Sequence, residues 1–206
     1  ALAAGNSVVL KPSEETPMVT RALVDLLNGI GLPKGVLNYV NGRGAITGAA
    51  LVDAPCVDMI SFTGGSLAGS AVAVAAAKRH IPCMMELGGK SATIVFDDAD
   101  LEATISGTAM AIFGNNGEAC LAGSRILLQD NIANDFIAGF QKRAEAMVVG
   151  DPKSEGVAMG PMISAQHQAR VLGFYDSAKA DGDTILFGGP ADPDGFHVRP
   201  GAIKIP

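Results

Sequence analysis

The sequence is poor in the residues that mark a disulfide scaffold, a metal centre or a nucleic-acid binder. It has three cysteines, at 56, 83 and 120. An odd, widely spaced set argues against a disulfide framework and for free thiols in a reducing, cytoplasmic compartment. The three histidines, His80, His167 and His197, are scattered. They form neither a Ser-His-Asp arrangement nor ligand spacing with the cysteines, so no metal is expected. Basic residues number 15 against 21 acidic ones, for a net charge of −6. That balance, without a basic cluster, argues against a nucleic-acid partner. No uninterrupted apolar run approaches the ~18 residues of a membrane span. The opening Ala1-Leu2-Ala3-Ala4-Gly5-Asn6 has no basic segment and does not read as a signal peptide. With no initiator Met, the chain is expected to begin inside a longer protein.

What is present points to a globular α/β protein. Of 206 residues, 48% are hydrophobic and 26 are glycine, a composition that suits many tight strand–helix turns. That length allows one large domain or two small ones. The pattern alternates. Strands are expected at 7–11, 36–40, 57–62, 92–96, 124–128 and 184–187. Helices are expected at 16–27, 45–52, 67–78, 101–113, 132–149 and 165–180. Thr16 is the expected N-cap of the first helix, with Pro17 in its first turn. Asp97, Asp98 and Asp100 suit the start of the helix at 101. The β–α–β order implies a parallel sheet with helices on its faces. The pattern restarts after Gly88-Gly89, which sets two domains, 1–88 and 89–206.

Two places in the first domain could hold a ligand. Phe62-Thr63-Gly64-Gly65-Ser66-Leu67-Ala68-Gly69 joins a strand to a helix, where backbone N–H groups and the helix dipole can face a phosphate. It is not a GxGxxG fingerprint, and a flexible turn alone would also use these residues. Leu10-Lys11-Pro12-Ser13-Glu14 ends the first strand, and ligands of open α/β sheets bind outside such ends. A strand-terminating lysine and a helix-start acid would look the same.

Among the thiols, Cys120 stands apart. It lies in Asn115-Asn116-Gly117-Glu118-Ala119-Cys120-Leu121-Ala122-Gly123-Ser124-Arg125, among small and polar residues that leave a thiolate reachable. Cys56 and Cys83 flank apolar runs and are expected to be buried structural residues. Glu86 lies 34 residues upstream of Cys120, in Met85-Glu86-Leu87-Gly88-Gly89-Lys90. Its apolar neighbours Met84, Met85 and Leu87 suggest burial, which would raise a carboxyl toward the range of a general base.

The Glu86 and Cys120 segments together resemble the general base and catalytic thiol of the aldehyde dehydrogenase family. The similarity runs from Ala1 to about Pro200. It implies a partial Rossmann-like cofactor-binding domain followed by a partial α/β catalytic domain. It also implies NAD-dependent oxidation of an aldehyde to a carboxylic acid through a cysteine thiohemiacetal and thioester. A carboxylate at Glu86 favours hydrolysis over transfer to coenzyme A. In the same resemblance Phe62, Thr63, Gly64, Gly65 and Gly69 hold the cofactor pyrophosphate, where many members carry Ser in place of Gly65. Lys11, Ser13 and Glu14 lie at the adenosine ribose. Gly44 and Gly48 wall the adenine pocket, and Leu87 and Gly88 complete the cofactor site. A carboxylate at Glu14 accepts bonds from ribose hydroxyls and repels a 2′-phosphate, which favours NAD over NADP; Arg43, turned inward, would accommodate that phosphate.

Family members are more than twice this length and usually form homodimers or homotetramers. They carry a Pro-Trp-Asn oxyanion segment and a Glu-x-Phe-Gly-Pro ribose segment. Neither is present, and the chain has no Trp. The chain is therefore expected to be a central segment of a dehydrogenase, impaired alone. The alternative is a non-catalytic nucleotide-binding module.

Overall fold

The computed structural model describes residues 1–191 and 195–205. The chain divides into two compact units, Ala1–Leu87 and Gly88–Pro206. In the first unit the order is β1 (Val8–Leu10), α1 (Pro17–Gly29), β2 (Leu37–Tyr39), α2 (Ala49–Asp53), β3 (Ile60–Gly64), α3 (Ser66–Lys78) and β4 (Cys83–Leu87). In the second it is β5 (Ala92–Val95), α4 (Leu101–Phe113), β6 (Arg125–Leu128), α5 (Ala133–Glu145), α6 (Ala165–Asp181), β7 (Thr184–Pro190) and β8 (Val198–Lys204).

The strands pair two by two among the described residues. β1 and β2, β3 and β4, and β5 and β6 are parallel pairs, while β7 and β8 are antiparallel. In place of the expected parallel sheet there are three parallel pairs, because the crossovers through α1, α3 and α4 each return the chain beside the strand just left. β4 and β8 extend the expected list. β4 carries a charged residue and precedes two glycines, and β8 carries Arg199, Pro200 and Gly201, so neither reads as an apolar run.

Local chemistry sets the helix ends. Pro17 starts α1, where its missing N–H would lack a partner anyway. Thr16 occupies the N-cap, but its hydroxyl makes no capping bond, so the expected cap is one of position only. α1 buries Val24 and half-buries Thr20 and Leu27, leaving Val19, Leu23 and Leu26 exposed. The helix expected at 45–52 begins as a wide turn over Gly44–Gly48, because the Arg43 carbonyl accepts from Ile46, Thr47 and Gly48 together. In α4, Asp100 caps the first turn by accepting from Ala103 N at 3.0 Å. α5 stops at Glu145, short of the expected Val149, because Val148–Gly150 pairs with the backbone of Ala158 and Met159 instead.

α3 packs on β3 and β4. A Cβ at Gly69 would lie 2.6 Å from Leu87 Cδ2, so a glycine lets the helix sit this close to β4. Arg79, just after α3, donates to the carbonyls of Val52 at 2.6 Å and Val57 at 2.7 Å, fixing the turn before β3.

The second unit holds the larger core. Val95, Ala109, Phe113, Phe136, Phe140, Ala144, Met159 and Phe187 are buried together. Phe140 stacks on Phe113 and Phe136, with ring centroids 5.6 and 5.8 Å away, and tilts against Phe187 at 6.0 Å. One face of the β5–β6 pair rests on this core. The other carries the paired Ile94 and Leu127, 60% and 54% exposed.

Phe140→Ala should destabilise the second unit by about 3–5 kcal/mol, read from the denaturant midpoint. Phe174, 61% exposed on α6, is the control. Its replacement by Ala should cost no more than about 0.5 kcal/mol.

Candidate active site

Parallel pairing sets the geometry of the first unit. At the carboxyl end of β1, Lys11 Nζ donates to the carbonyls of Pro12 at 2.6 Å and Gly42 at 3.0 Å. It lies 3.7 Å from Glu14 Oε2. Glu14 Oε1 accepts from Gly44 N at 3.2 Å. Gly48 is close against the lysine stem, since a Cβ there would meet Lys11 Cε at 3.4 Å. Lys11, Glu14, Gly44 and Gly48, distant in sequence, therefore form one cluster. Ser13 is engaged locally, its Oγ accepting from Glu15 N at 3.2 Å. Arg43 is exposed beside the cluster in sequence.

The Glu14 carboxyl is held below its ordinary value of 4.5. Its own backbone N–H is the largest cause, followed by that of Gly44; desolvation opposes them and the Lys11 charge assists.

The second cluster lies at the carboxyl ends of β3 and β4. Their register aligns Thr63 with Glu86 and Gly64 with Leu87. The glycine turn and the candidate base thus end side by side. Phe62 is half-buried, and its ring occupies the space a Cβ on Gly64 would need. Gly65 is the N-cap of α3, with no side-chain cap, and a Cβ there would meet nothing within 4 Å. The first N–H groups of α3 are accordingly left for a ligand or water. Gly69 is buried beneath this turn against Leu87, so it shapes the turn by packing. Gly88 opens the second unit and is exposed.

Glu86 is exposed, which corrects the expected burial. The pleat is the reason. Along β4 the odd positions Cys83, Met85 and Leu87 are half-buried, while Met84 and Glu86 point to the opposite, open face. Met85 and Leu87 are neighbours in sequence yet lie on the other side of the strand.

In the second unit, α4 gives way to a tight turn over Gly114–Gly117. Asn115, Asn116 and Gly117 run consecutively with φ of 51°, 58° and 76°. Asparagine is among the few residues that tolerate this left-handed region. Two tethers follow. Asn116 Oδ1 accepts from Gly160 N at 3.1 Å while its Nδ2 donates to Pro161 O at 3.3 Å. Glu118 Oε1 lies 3.0 Å from His167 Nε2. Cys120 is exposed two residues on. A Cβ at Gly89 would lie 3.1 Å from the Cys120 carbonyl oxygen, and Arg125 Nε donates to Lys90 O at 2.8 Å. The Gly89-Lys90 segment therefore backs the thiol loop.

Cys56 is exposed and Cys83 half-buried, against the expectation that both are core residues. Cys56 sits in the turn held by Arg79, ahead of β3, and Cys83 opens β4. His167 is a hydrogen-bond partner of Glu118, a contact 49 positions apart that no periodicity signals. Among the described residues no group of three or more His, Cys, Asp or Glu is arranged to hold a metal. No described helix is long and apolar enough to cross a membrane.

The model of the aldehyde dehydrogenase family matches residues 1–204. The chain belongs to the aldehyde dehydrogenase family. It is 43% identical over 190 residues to 2-hydroxymuconic semialdehyde dehydrogenase of Pseudomonas sp. (strain CF600), covering 92% of this chain and 39% of that protein. It is 42% identical over 204 residues to betaine aldehyde dehydrogenase of Sinorhizobium fredii, covering 97% and 42%. The chain thus spans about two fifths of these relatives. Among solved structures it resembles PnpE in complex with nicotinamide adenine dinucleotide, PnpE being from Pseudomonas sp. WBC-3. That match has a TM-score of 0.95 and 43% identity over 98% of this chain and 43% of PnpE. The NAD+ complex of the Bacillus cereus aldehyde dehydrogenase matches with a TM-score of 0.96 and 35% identity, over 98% and 42%. The α/β fold is that of the aldehyde dehydrogenases.

The lowered Glu14 value fixes a sign. The carboxylate that receives the Gly44 N–H is fully present above the unfolded value and is lost as pH falls through the folded one. The Gly44 amide resonance should titrate with a midpoint below 4.5, and Glu14→Gln should abolish that titration.

Proposed function

We propose that this chain is the core of an NAD-dependent aldehyde dehydrogenase that oxidises an aldehyde to a carboxylic acid, with Cys120 as nucleophile and Glu86 as general base. The observation that carries the reading is an exposed thiol on a tethered loop, in a chain whose fold matches about two fifths of structures solved in complex with NAD.

The residues of the first unit suit the cofactor. The turn from Thr63 and Gly64 into the uncapped start of α3 offers N–H groups to a pyrophosphate, with open space at Gly65, above the packed pair Gly69 and Leu87. Lys11 and Glu14, with Ser13 beside them, offer a charge pair to ribose hydroxyls, and Gly44 and Gly48 keep the adjoining wall low. Gly88 lies at the junction of the units. Bound NAD supplies the acceptor for the hydride that leaves the aldehyde carbon.

The protein's own groups do the rest. The Cys120 thiolate adds to the aldehyde carbon, forming a C–S bond and a thiohemiacetal. After the carbon is oxidised, Cys120 holds the acyl group as a thioester. Glu86 takes a proton from water, the water oxygen adds to the acyl carbon, and the C–S bond breaks. The acid leaves and the thiolate is restored. We read the whole protein as a cytoplasmic homodimer or homotetramer acting on a small aldehyde.

NADH formation from an aldehyde panel should depend on Cys120 and vanish in Cys120→Ala. Glu86→Gln should slow thioester hydrolysis about 10²–10⁴-fold, leaving a single burst of NADH. A full steady-state rate in Glu86→Gln would remove Glu86 from the mechanism. NAD binding without turnover by this chain would mark it as an incomplete segment whose chemistry belongs to the whole protein; the same result in the whole protein would favour the non-catalytic module. NADP should bind about tenfold more weakly than NAD, and Glu14→Gln should narrow that difference. Equal dissociation constants for the unmodified chain would overturn the assignment of Glu14.

A further inference from the structure

The Glu118–His167 contact has no part in the chemistry above, yet it lies two residues from the thiol. Glu118 Oε1 and His167 Nε2 are 3.0 Å apart, with side chains 43% and 32% exposed. His167 is itself fixed. It lies in the first turn of α6, and its backbone N–H donates to the N-cap hydroxyl of Ser164 at 3.2 Å. Its ring is therefore presented from the rigid end of a 17-residue helix. The loop it meets lacks such support. Between Phe113 and Arg125 the loop has no strand pairing, and it passes through three consecutive left-handed residues. Its attachments come from outside: Asn116 is held by Gly160 and Pro161, Glu118 by His167, the Cys120 carbonyl is backed by Gly89, and the Gly123 carbonyl accepts from Thr93 Oγ1 at 3.4 Å. The partners of Asn116 and Glu118 lie in the stretch that leads into α6. Asn116 fixes the start of the loop, and the Glu118–His167 pair fixes the last side chain but one before Cys120.

We infer that His167 is a positioning residue for the nucleophile: through Glu118 it holds the thiol loop against the start of α6 and so fixes the presentation of Cys120. A nucleophile must be held close to its attack geometry, and loops cannot do this without support from rigid elements. This inference rests on Cys120 being the reactive thiol. The role needs a donor nitrogen at the reach of His167 Nε2. His167→Gln keeps one and His167→Ala does not.

The test is the rate of carbamidomethylation by iodoacetamide, followed for each cysteine by peptide mass spectrometry on the 206-residue chain. Exposed Cys56 is the internal reference, half-buried Cys83 reports unfolding of the first unit, and the denaturant midpoint reports that of the second. In the unmodified chain Cys120 should react faster than Cys56. His167→Ala and Glu118→Ala should each slow Cys120 toward the Cys56 rate, by about threefold or more, with Cys56 and Cys83 unchanged. The double variant should be no slower than either single one, because both remove the same contact. His167→Gln should restore the rate to within about twofold. Unchanged or faster Cys120 labelling in His167→Ala, additive losses, or no rescue by Gln would overturn the inference. Cys120 no faster than Cys56 in the unmodified chain would instead overturn its assignment as nucleophile, and the inference with it. If the denaturant midpoint falls in His167→Ala, the Gln rescue and the Glu118→Ala rate decide between positioning and general stability.

Discussion

Parallel strand pairing is the constraint on which the candidate site depends. A parallel pair cannot close through a tight hairpin; it needs a crossover, here a helix. Each crossover delivers the next strand in the same direction, so both strands of a pair end at the same edge. That is why the turn after β3 and the acid near the end of β4 are neighbours, although α3 separates them in sequence. Glu86 keeps its place in the ladder opposite Thr63, so its side chain can carry chemistry without weakening the pair.

Within each unit, packing and chemistry use different residues. In the second, four phenylalanines from α4, α5 and β7 form the centre of the core and touch none of the groups assigned to reaction. The thiol loop hangs from this core by polar tethers. Such loops are tuned by a few directional contacts, whereas the core tolerates exchange of apolar volume. In the first unit, glycine does much of the shaping. Gly69 admits Leu87, and Gly48 admits the lysine stem.

Much of this was legible in the sequence, for physical reasons. Helices such as Leu101–Phe113 carry both period and cap, and the two match to the residue. The turns at Gly64-Gly65 and around Cys120 were marked by glycine and small residues, which suit tight, accessible turns. What was not legible depended on pleat or on distance. The burial of Glu86 was inferred from Met85 and Leu87, but adjacency along a strand means opposite faces. Cys56 borrowed the apolarity of a strand that starts four residues later, at Ile60. The Glu118–His167 contact joins a loop to a helix 49 positions away, and no local pattern encodes such a meeting. The exposed Val19, Leu23 and Leu26 show that a helix can carry more apolar surface than its own unit covers.

The alternation along β4 has a consequence for how the protein can fail. Its two faces differ sharply: thiol, thioether and isobutyl groups point one way, a thioether and a carboxylate the other. A shift of β4 by one residue against β3 would turn Met85 or Leu87 to the open face and press Glu86 into apolar surroundings. Nothing in the composition would change, yet the site would lose its acid and the layer beneath α3 would gain a charge. Such a slipped form would be both inert and poorly folded, so the energetic gap against it protects the chemistry and the fold at once.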